Sequence, residues 1–456
     1  MTGLFSSPPF GVLQVVCIIP LVLQVLVVLV VLVVVPVFSV PVPASVLSSG
    51  GHGLFGLSVA GYGGFLVGGA PYEVQGAVTP FDCTDDPGNC VKKPALVPSD
   101  GVLQDEFGVS VSLSSVGLLA VGSWYNDVDG KVDQGKVYLF DCGAQPQHSE
   151  CVEVTSFTPP AGAENDNFGT VVSMSGSMLV VSSPFRKVGN NVTQGEVYLY
   201  DCSSRVRCAL TTNFTSSDGM AGDKFGSSVS MTSGNLVAVG SIYHPVGNNS
   251  AQGKVYLFDC SDIYHCIELT SFSSSNGGPG DWFGYSVSIS GMVVVVGAPK
   301  HDEMKGGAYL FDCGASASPS SSFSSSSSSP RKCVETILTP SEARVGEWIG
   351  ASVSVDGNLV VVGSPWTLTG SAYVFDFSGG SSGEYTQTTL VPHNGVPNDW
   401  YGMAVAVFGD QVAIGSPYHK SQAGLSTGAI YLYGNLPLDF LISLTFSIFR
   451  KPRLII

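Results

Sequence analysis

Six acidic residues recur at one phase of the chain, each two positions before an aromatic-Gly or Ile-Gly step. Carboxylates that meet at one end of a molecule attract cations, whereas a single Asp accepts hydrogen bonds from nearby backbone N–H groups and caps a turn. We expect turn caps, and a cation-attracting ring of carboxylates is the alternative. The six residues are Asp105, Asp166, Asp223, Asp281, Glu347 and Asp399, and Gly53 stands at the seventh such position.

A second acidic cluster, Asp127-Val-Asp129-Gly130-Lys-Val-Asp133, resembles part of a calcium loop, in which oxygen ligands alternate around a Gly turn. Tyr125 stands at the first ligand position and cannot supply a carboxylate. We therefore expect an acidic surface turn. Calcium bound by Asp127, Asp129 and Asp133 is the alternative.

The sequence lacks the residue patterns of common catalytic sites. It has no phosphate-binding glycine loop, no Gly-x-Ser-x-Gly elbow and no paired metal-binding histidines, and its seven histidines are scattered. The formal charge of −16 argues against nucleic acid, which needs a basic footprint, and against an electrostatic grip on anionic lipid. The sequence predicts no catalytic residues and a protein that is not an enzyme.

Cysteines and an apolar leader indicate export. Residues 11–43 are almost wholly apolar, so we expect 1–44 to be a signal peptide cleaved after Ala44, with an uncleaved membrane anchor as the alternative. Sequons at Asn191, Asn213 and Asn248 predict N-glycosylation. Ten of the eleven cysteines form five near pairs at one phase of the chain, and five disulfides imply an oxidising compartment. The expected pairs are Cys83/Cys90, Cys142/Cys151, Cys202/Cys208, Cys260/Cys266 and Cys313/Cys333.

Seven copies of one unit account for residues 45–450. Each has an aromatic-Gly step, replaced once by Ile349-Gly350, and then a Val-rich strand that ends in a triplet like the VGAP of 296–299. The first and third strands alternate in polarity, whereas the continuous Val run is typical of a strand buried on both faces. A fourth strand is expected to start at the second cysteine of a pair, as in CVEVTSF (151–157).

Four strands in each of seven units predict an all-β, seven-bladed β-propeller of four-stranded antiparallel blades. In a propeller, each sheet packs its faces against its neighbours and leaves only short edges. The repeats start near residues 52, 104, 165, 222, 280, 346 and 398.

Three further segments have their own predictions. The Ser-rich stretch 316–329 is expected to be a flexible excursion inside the Cys313/Cys333 loop of blade five. Residues 440–449 are too short for a helical membrane span. Their Ile-Ser-Leu-Thr resembles an earlier fourth strand, so we expect them to form the outer strand of blade seven, with a membrane segment as the alternative. Residues 451–456 are a tail.

The phased aromatic-Gly and Gly-Ala-Pro-like steps resemble the FG-GAP repeats of the integrin α-subunit head and related exported propellers. The resemblance covers about residues 52–450. It implies a seven-bladed propeller whose upper loops bind protein ligands and a partner subunit. The Asp-rich calcium loop that integrin-like repeats often carry has no room here, because the first and second strands join through tight turns such as SISGMV (288–293). We therefore do not expect a conventional integrin.

Alternating strand direction places the loops after the second and fourth strands on one face. The loops after the second strands begin with aromatic residues, and basic or imidazole groups follow them. Exposed aromatics ringed by polar groups suit a protein or carbohydrate partner. The alternative is that each aromatic covers the end of its own blade. The candidate ligand-binding residues are Tyr72, Trp124, Tyr125, Phe185, Lys300, His301, Trp366, Tyr418 and His419.

The sequence thus predicts a secreted or cell-surface recognition module for adhesion or ligand capture, which binds an extracellular protein through one propeller face. A lectin-like propeller that binds glycans between blades is one alternative. An accessory domain of an exported hydrolase is another, because FG-GAP propellers accompany hydrolases. Apart from the alternative calcium ion we expect no cofactor, and the membrane is contacted only through the N-terminal segment.

Overall fold

The computed structural model describes residues 41–51, 53–143, 150–314, 332–340, 342–378, 384–421 and 424–434. Its strands form seven four-stranded antiparallel sheets. First strands of successive sheets contact one another all the way round, so they line a central channel. The predicted seven-bladed β-propeller is therefore confirmed.

The first six blades are each built from four consecutive strands. Blade one comprises Ser58–Tyr62, Phe65–Ala70, Ala77–Asp82 and Val91–Lys92. Blade two comprises Ser110–Leu113, Leu118–Ser123, Lys136–Asp141 and Val152–Phe157. Blade three comprises Val172–Ser175, Met178–Ser183, Glu196–Asp201 and Ala209–Phe214. Blade four comprises Phe225–Met231, Leu236–Ser241, Lys254–Asp259 and Ile267–Phe272. Blade five comprises Ser286–Ser290, Val293–Ala298, Gly307–Asp312 and Val334–Leu338. Blade six comprises Ser352–Asp356, Leu359–Ser364, Ser371–Asp376 and Thr386–Leu390. Among the described residues, the only helix-like turn is His301–Met304, in which Asp302 and Glu303 have positive φ of 50° and 57°.

Blade seven joins two distant parts of the chain. Its inner strands are Ala404–Phe408, Gln411–Ser416 and Ala429–Tyr433, and its outer strand is Ser45–Leu47. The prediction that residues 440–449 supply this outer strand is wrong, because Ser45–Leu47 already pairs with the outer edge of Ala429–Tyr433. Residues 440–449 themselves lie outside the described residues.

Other predictions also fall outside the described part of the chain. They concern the leader up to residue 40, the Ser-rich stretch 316–329 and the tail 451–456. Among the described residues, no helix combines the length and the apolar character that crossing a bilayer requires.

All five predicted disulfides form, and each closes the hairpin between the third and fourth strands of blades one to five. An Asp caps the start of several of these hairpins. Asp141 Oδ1, for example, accepts the Gly143 N–H at 2.9 Å. Blade six keeps this cap through Asp376, although it has Phe377 in place of the first cysteine. The bonded pairs are Cys83–Cys90, Cys142–Cys151, Cys202–Cys208, Cys260–Cys266 and Cys313–Cys333.

The two cysteines of each pair differ in position and burial. The first cysteine is buried in every pair, whereas the second is half-buried and stands directly before the fourth strand. The prediction that the fourth strand starts at the second cysteine is therefore wrong by one residue. The reason is that the disulfide, with Cα atoms only 3.9–4.2 Å apart, takes the place of a ladder pair at the hairpin end. The second cysteines are Cys90, Cys151, Cys208, Cys266 and Cys333.

The core lies between blades. The second strands are almost wholly buried, as their continuous Val runs predict. In five of the six aromatic-Gly steps the ring packs against a Tyr of the third strand, as Phe107 does on Tyr138 with ring centroids 5.2 Å apart. In blade one, Phe55 packs against Phe81 instead. These edge-on contacts place large buried rings at regular positions round the propeller.

Neighbouring blades touch through backbone at one recurring contact, which we call the interblade joint. In the joint between blades two and three, Ser110 Oγ donates to the Gly169 carbonyl at 2.9 Å. A Cβ on Gly122 would lie only 2.0 Å from that carbonyl oxygen, so no side chain fits there. The Phe168 N–H also donates to the Gln134 carbonyl of the preceding blade at 2.9 Å. Equivalent serine bonds join Ser58 to Gly108, Ser228 to Gly284, Ser286 to Gly350 and Ser352 to Gly402.

Blade three shows how the joint tolerates an exchange. Val171 replaces the first-strand serine, and Ser182 replaces the second-strand glycine. Ser182 Oγ accepts the Val171 N–H at 3.0 Å, so the hydroxyl moves to the other strand. The following glycine, Gly226, remains close to the Ser182 Cβ. The joint therefore accepts glycine or serine on the second strand, and the first strand accepts a larger residue when the hydroxyl comes from the second.

We expect Gly122→Ala to lower the free energy of unfolding by about 1–3 kcal/mol, because the added methyl forces the joint with Gly169 to open. Urea denaturation measures this. Gly234→Ala is the control, since its Cβ would meet only Thr232 Oγ1 at 3.6 Å, and its effect should stay within about 0.5 kcal/mol. Equal losses in the two variants would contradict this account of the joint.

Blades six and seven should open first, because they lack the cysteine hairpin and blade seven is closed by three residues only. In hydrogen exchange measured by mass spectrometry, Ser45–Leu47 and Thr386–Leu390 should lose protection before the outer strands of blades two to five. Uniform protection of these outer strands would refute the prediction.

Candidate ligand-binding face

Two sets of loops meet at one mouth of the channel, which we call the upper mouth. They are the loops after the second strands and the segments before the aromatic-Gly steps. The turns between first and second strands lie at the other mouth, where they line a cavity of about 760 Å³. Residues of this cavity include Gly61, Ser290 and Gly409. The predicted ligand-binding residues belong to the upper mouth.

The six acidic residues before the aromatic-Gly or Ile-Gly steps are all buried. In the five that are Asp, one carboxylate oxygen accepts the N–H of the residue three positions earlier, at 2.7–2.9 Å. Burial raises the pKa of the Asp105 carboxyl. The predicted turn caps are confirmed for the five Asp residues, whereas Glu347 Oε2 accepts a hydrogen bond from Tyr373 Oη at 3.5 Å. The alternative ring of exposed carboxylates is wrong, because these groups are buried and already hydrogen-bonded.

The same carboxylate oxygen also holds a side chain from the loop after the second strand. His301 Nδ1 donates to Asp281 at 2.8 Å, and His419 Nδ1 donates to Asp399 at 3.0 Å. We call these contacts loop locks. His301 and His419, predicted as ligand contacts, therefore turn inward and fix their loops. In blades two to four the locks are Asn126 to Asp105, Arg186 to Asp166 and His244 to Asp223.

Aromatic side chains form a continuous arc over blades four to seven at the upper mouth. Trp348 and Trp366 stack with centroids 4.2 Å apart, and Trp366 in turn stacks on Trp400 at 5.6 Å. Trp366 is nevertheless 47% exposed. We call this set the aromatic arc, and its members in contact order are Tyr243, Trp282, Trp348, Trp366, Trp400 and Tyr418.

Four of the six members of the aromatic arc, Tyr243, Trp282, Trp348 and Trp400, were not among the predicted ligand-binding residues. Trp282, Trp348 and Trp400 stand directly before the aromatic-Gly or Ile-Gly step, at a position filled elsewhere by residues as different as Glu106 and Lys224. All seven residues at this position have a positive φ of 51–60°. Non-Gly residues rarely adopt such angles, and they concentrate at functional sites. The repeat phase was the available signal, because it aligns the three Trp residues.

Two lysines cap the aromatic surface. Lys300 Nζ lies 3.4 Å from the centroid of Trp282, and Lys224 Nζ lies 4.4 Å from that of Phe185. Burial lowers the pKa of Lys224. Such cation–π contacts hold the basic groups against the rings, so Lys300 and Phe185 belong to the same surface as the arc.

The remaining predicted residues form an acidic sector over blades one and two. Trp124 stacks on Tyr125 with centroids 4.6 Å apart and donates its indole N–H to Glu106 at 2.7 Å. Burial raises the pKa of the Glu106 carboxyl. Burial also raises the pKa of the half-exposed Tyr72, and the Glu106 charge adds to that effect. The upper mouth is therefore polarised, with a carboxylate on one side and lysines on the other.

The predicted calcium loop folds as a tight β-turn closed by its own hydrogen bonds. Val128 and Lys131 exchange backbone hydrogen bonds, and Asp127 Oδ1 accepts the Asp133 N–H at 2.9 Å. Blades three and four repeat the same backbone bonds without these acids. Among the described residues, no group of three His, Cys, Asp or Glu side chains could hold a metal ion. Asp127, Asp129 and Asp133 therefore form the expected acidic surface turn.

The three sequons lie in blades three and four. Asn213 is exposed on the outer strand of blade three. Asn191 and Asn248 lie in the loops after the second strands, on the side of the upper mouth. Asn248 is exposed, whereas Asn191 is half-buried.

Comparison with protein families gives one match. The model described as FG-GAP repeat matches residues 91–140, 151–200, 210–258, 268–311, 334–375 and 385–433. These segments fall within the seven-bladed ring seen in the structure. No curated protein matches the chain.

The lock in blade five should make stability depend on pH. The hydrogen bond to Asp281, with further support from the Asp302 charge, raises the pKa of His301 above 6.5 against the opposing effects of burial and Lys305. The contribution of the charged His301 to the free energy of unfolding is therefore fully present below pH 6.5. It is lost as the pH rises through the folded-state pKa of His301.

We expect the melting temperature of the parent chain to exceed that of His301→Asn by more at pH 5.5 than at pH 8. Asn is the side chain that blade two uses in its lock, so the variant keeps a hydrogen bond without the titration. A difference that does not change with pH would contradict a titrating lock.

Proposed function

The chain belongs to the FG-GAP repeat family, since the repeat model covers more than half of it, and we propose that it is an extracellular or cell-surface recognition module that binds a protein ligand through the upper mouth. FG-GAP propellers are interaction modules. The five disulfides indicate an exported protein. These two observations support the general role, and the aromatic arc supports its location.

The observation that carries the proposal is the aromatic arc. Trp and Tyr are enriched among the residues that contribute most to protein interfaces. Here six of them lie in contact, and loop locks to Asp223, Asp281 and Asp399 hold the neighbouring loops of blades four, five and seven. A surface that is already ordered loses little conformational entropy on binding.

The ring geometry favours a protein over a glycan. A sugar ring would need the open face of an aromatic side chain. Trp366 already has two stacked indole neighbours, Trp348 at an interplanar angle of 13° and Trp400 at 28°. Partly exposed stacked rings with a lysine beside them suit an apolar protein surface with a polar rim.

We expect Trp366→Ala to raise the Kd for a protein ligand about tenfold or more, because it removes the centre of the arc. The ligand is first selected by applying the labelled propeller to an array of extracellular proteins, and biolayer interferometry then gives the Kd. Trp124→Ala should weaken binding less, since Trp124 lies in the acidic sector outside the arc.

The matched control is Tyr264→Ala, which removes an aromatic that is 63% exposed on the cysteine hairpin of blade four, at the other mouth. Its Kd should not change. Unchanged affinity in both Trp variants would overturn the proposal. A blank protein array together with a positive glycan array would support the lectin-like alternative instead.

A further inference from the structure

The loops after the second strands of blades three and four have nearly the same sequence, but their glycosylation sequons begin at different Asn residues of the Asn-Asn pair. The loop of blade three reads Val188-Gly-Asn-Asn-Val-Thr, and the loop of blade four reads Val246-Gly-Asn-Asn-Ser-Ala. The sequon begins on the second Asn in blade three, Asn191, and on the first Asn in blade four, Asn248. The two Asn positions have different surroundings.

The second Asn of each pair fastens its loop to the next blade. Asn191 Nδ2 donates to Gln194 Oε1 at 2.8 Å and to the Gly219 carbonyl at 3.2 Å. Asn249, its equivalent in blade four, makes the same two bonds to Gln252 and Gly277, at 2.9 and 3.2 Å. Both hydrogens of the amide nitrogen are therefore used inside the fold.

The partner of this amide is buried and has few alternatives. Gln194 is 4% exposed. In blade two, Lys131 stands at the Asn191 position, and its Nζ donates to the Gly162 carbonyl. The equivalent Gln134 Oε1 is then buried with no hydrogen-bond partner among the described residues. If Asn191 lost this hydrogen, Gln194 Oε1 would likewise be buried without a hydrogen-bond partner, which is unfavourable.

The first Asn of each pair has no such constraint. Asn190 and Asn248 are both exposed at the tip of the turn that the Val and the second Asn close with backbone hydrogen bonds. An N-linked glycan replaces one hydrogen of the Asn amide nitrogen. At Asn248 this substitution projects into solvent, whereas at Asn191 it would break a bond to Gln194 or Gly219.

We propose that Asn248 is a glycan acceptor on the upper mouth and that Asn191, despite its sequon, is a structural residue that stays unmodified. The glycan stands on the loop that begins at Tyr243, so it covers the blade-four end of the aromatic arc. Partners would then approach the arc from blades five to seven. The proposal depends on export of the chain and is independent of the ligand.

The test produces the chain with its own N-terminal segment in a eukaryotic secretory host. Peptide N-glycosidase in ¹⁸O water marks each formerly glycosylated Asn by a mass shift. We expect the Asn248 peptide to be mostly labelled and the Asn191 peptide mostly unlabelled. Full labelling of Asn191 in a secreted chain, or a bare Asn248 in a chain whose five disulfides have formed, would overturn the proposal. A chain with free thiols and no glycan would contradict the export on which it depends.

Exchanging the frames provides matched controls. Val192→Ser with Thr193→Ala gives blade three the frame of blade four and moves the sequon to Asn190. This variant should gain a glycan at Asn190. Ser250→Val with Ala251→Thr moves the blade-four sequon to Asn249, and the labelled fraction in that loop should fall severalfold. Glycosylation that simply follows the sequon into Asn249 would show that the hydrogen bonds do not protect it.

Discussion

The seven-bladed propeller depends on one contact, which the carbonyl oxygen of the glycine in each aromatic-Gly step makes with the preceding blade. This oxygen approaches the preceding blade so closely that a Cβ on Gly122 would lie 2.0 Å from it. A first-strand serine of that preceding blade bonds the same oxygen in five of the joints. Main-chain geometry, rather than side-chain packing alone, therefore sets the spacing of the blades. The aromatic-Gly step and the Gly-Ala-Pro-like strand end are the two motifs that repeat in the sequence. In the structure they are the two sides of one contact between neighbouring blades.

This constraint also produces the candidate site. The backbone N–H of the aromatic residue is bound to the preceding blade, and the acidic residue two positions earlier is fixed in its turn. The residue between them must pass through a left-handed conformation, with φ of 54° at Glu106 and 57° at Trp400. Because that residue has no part in the joint, its side chain can vary from blade to blade. The fold thus holds seven variable positions at the upper mouth, and three of them are Trp.

Much of the fold could be predicted from the sequence, because residues that make the same contact recur in each of the seven repeats. The phase of Phe107-Gly108 and its equivalents gave the blades, the disulfides and the face that carries the aromatic residues. The closing strand Ser45–Leu47 could not be predicted, since three residues have no periodicity. The role of His301 was also hidden, because the lock with Asp281 depends on how two loops meet in space. Trp282 was not predicted, although the repeat phase aligns it with Trp348 and Trp400.

The closing strand has a consequence for the order of synthesis. Ser45–Leu47 leaves the ribosome before any blade is complete, yet it pairs with Ala429–Tyr433, which is made after the other blades. The entropy of closing a long loop grows only slowly with its length, so the finished ring tolerates this separation, but distant contacts form slowly. Blades one to six can assemble as they emerge. Until blade seven closes, the nascent chain exposes an unpaired strand edge and two bare blade faces, which is the kind of surface that chaperones shield.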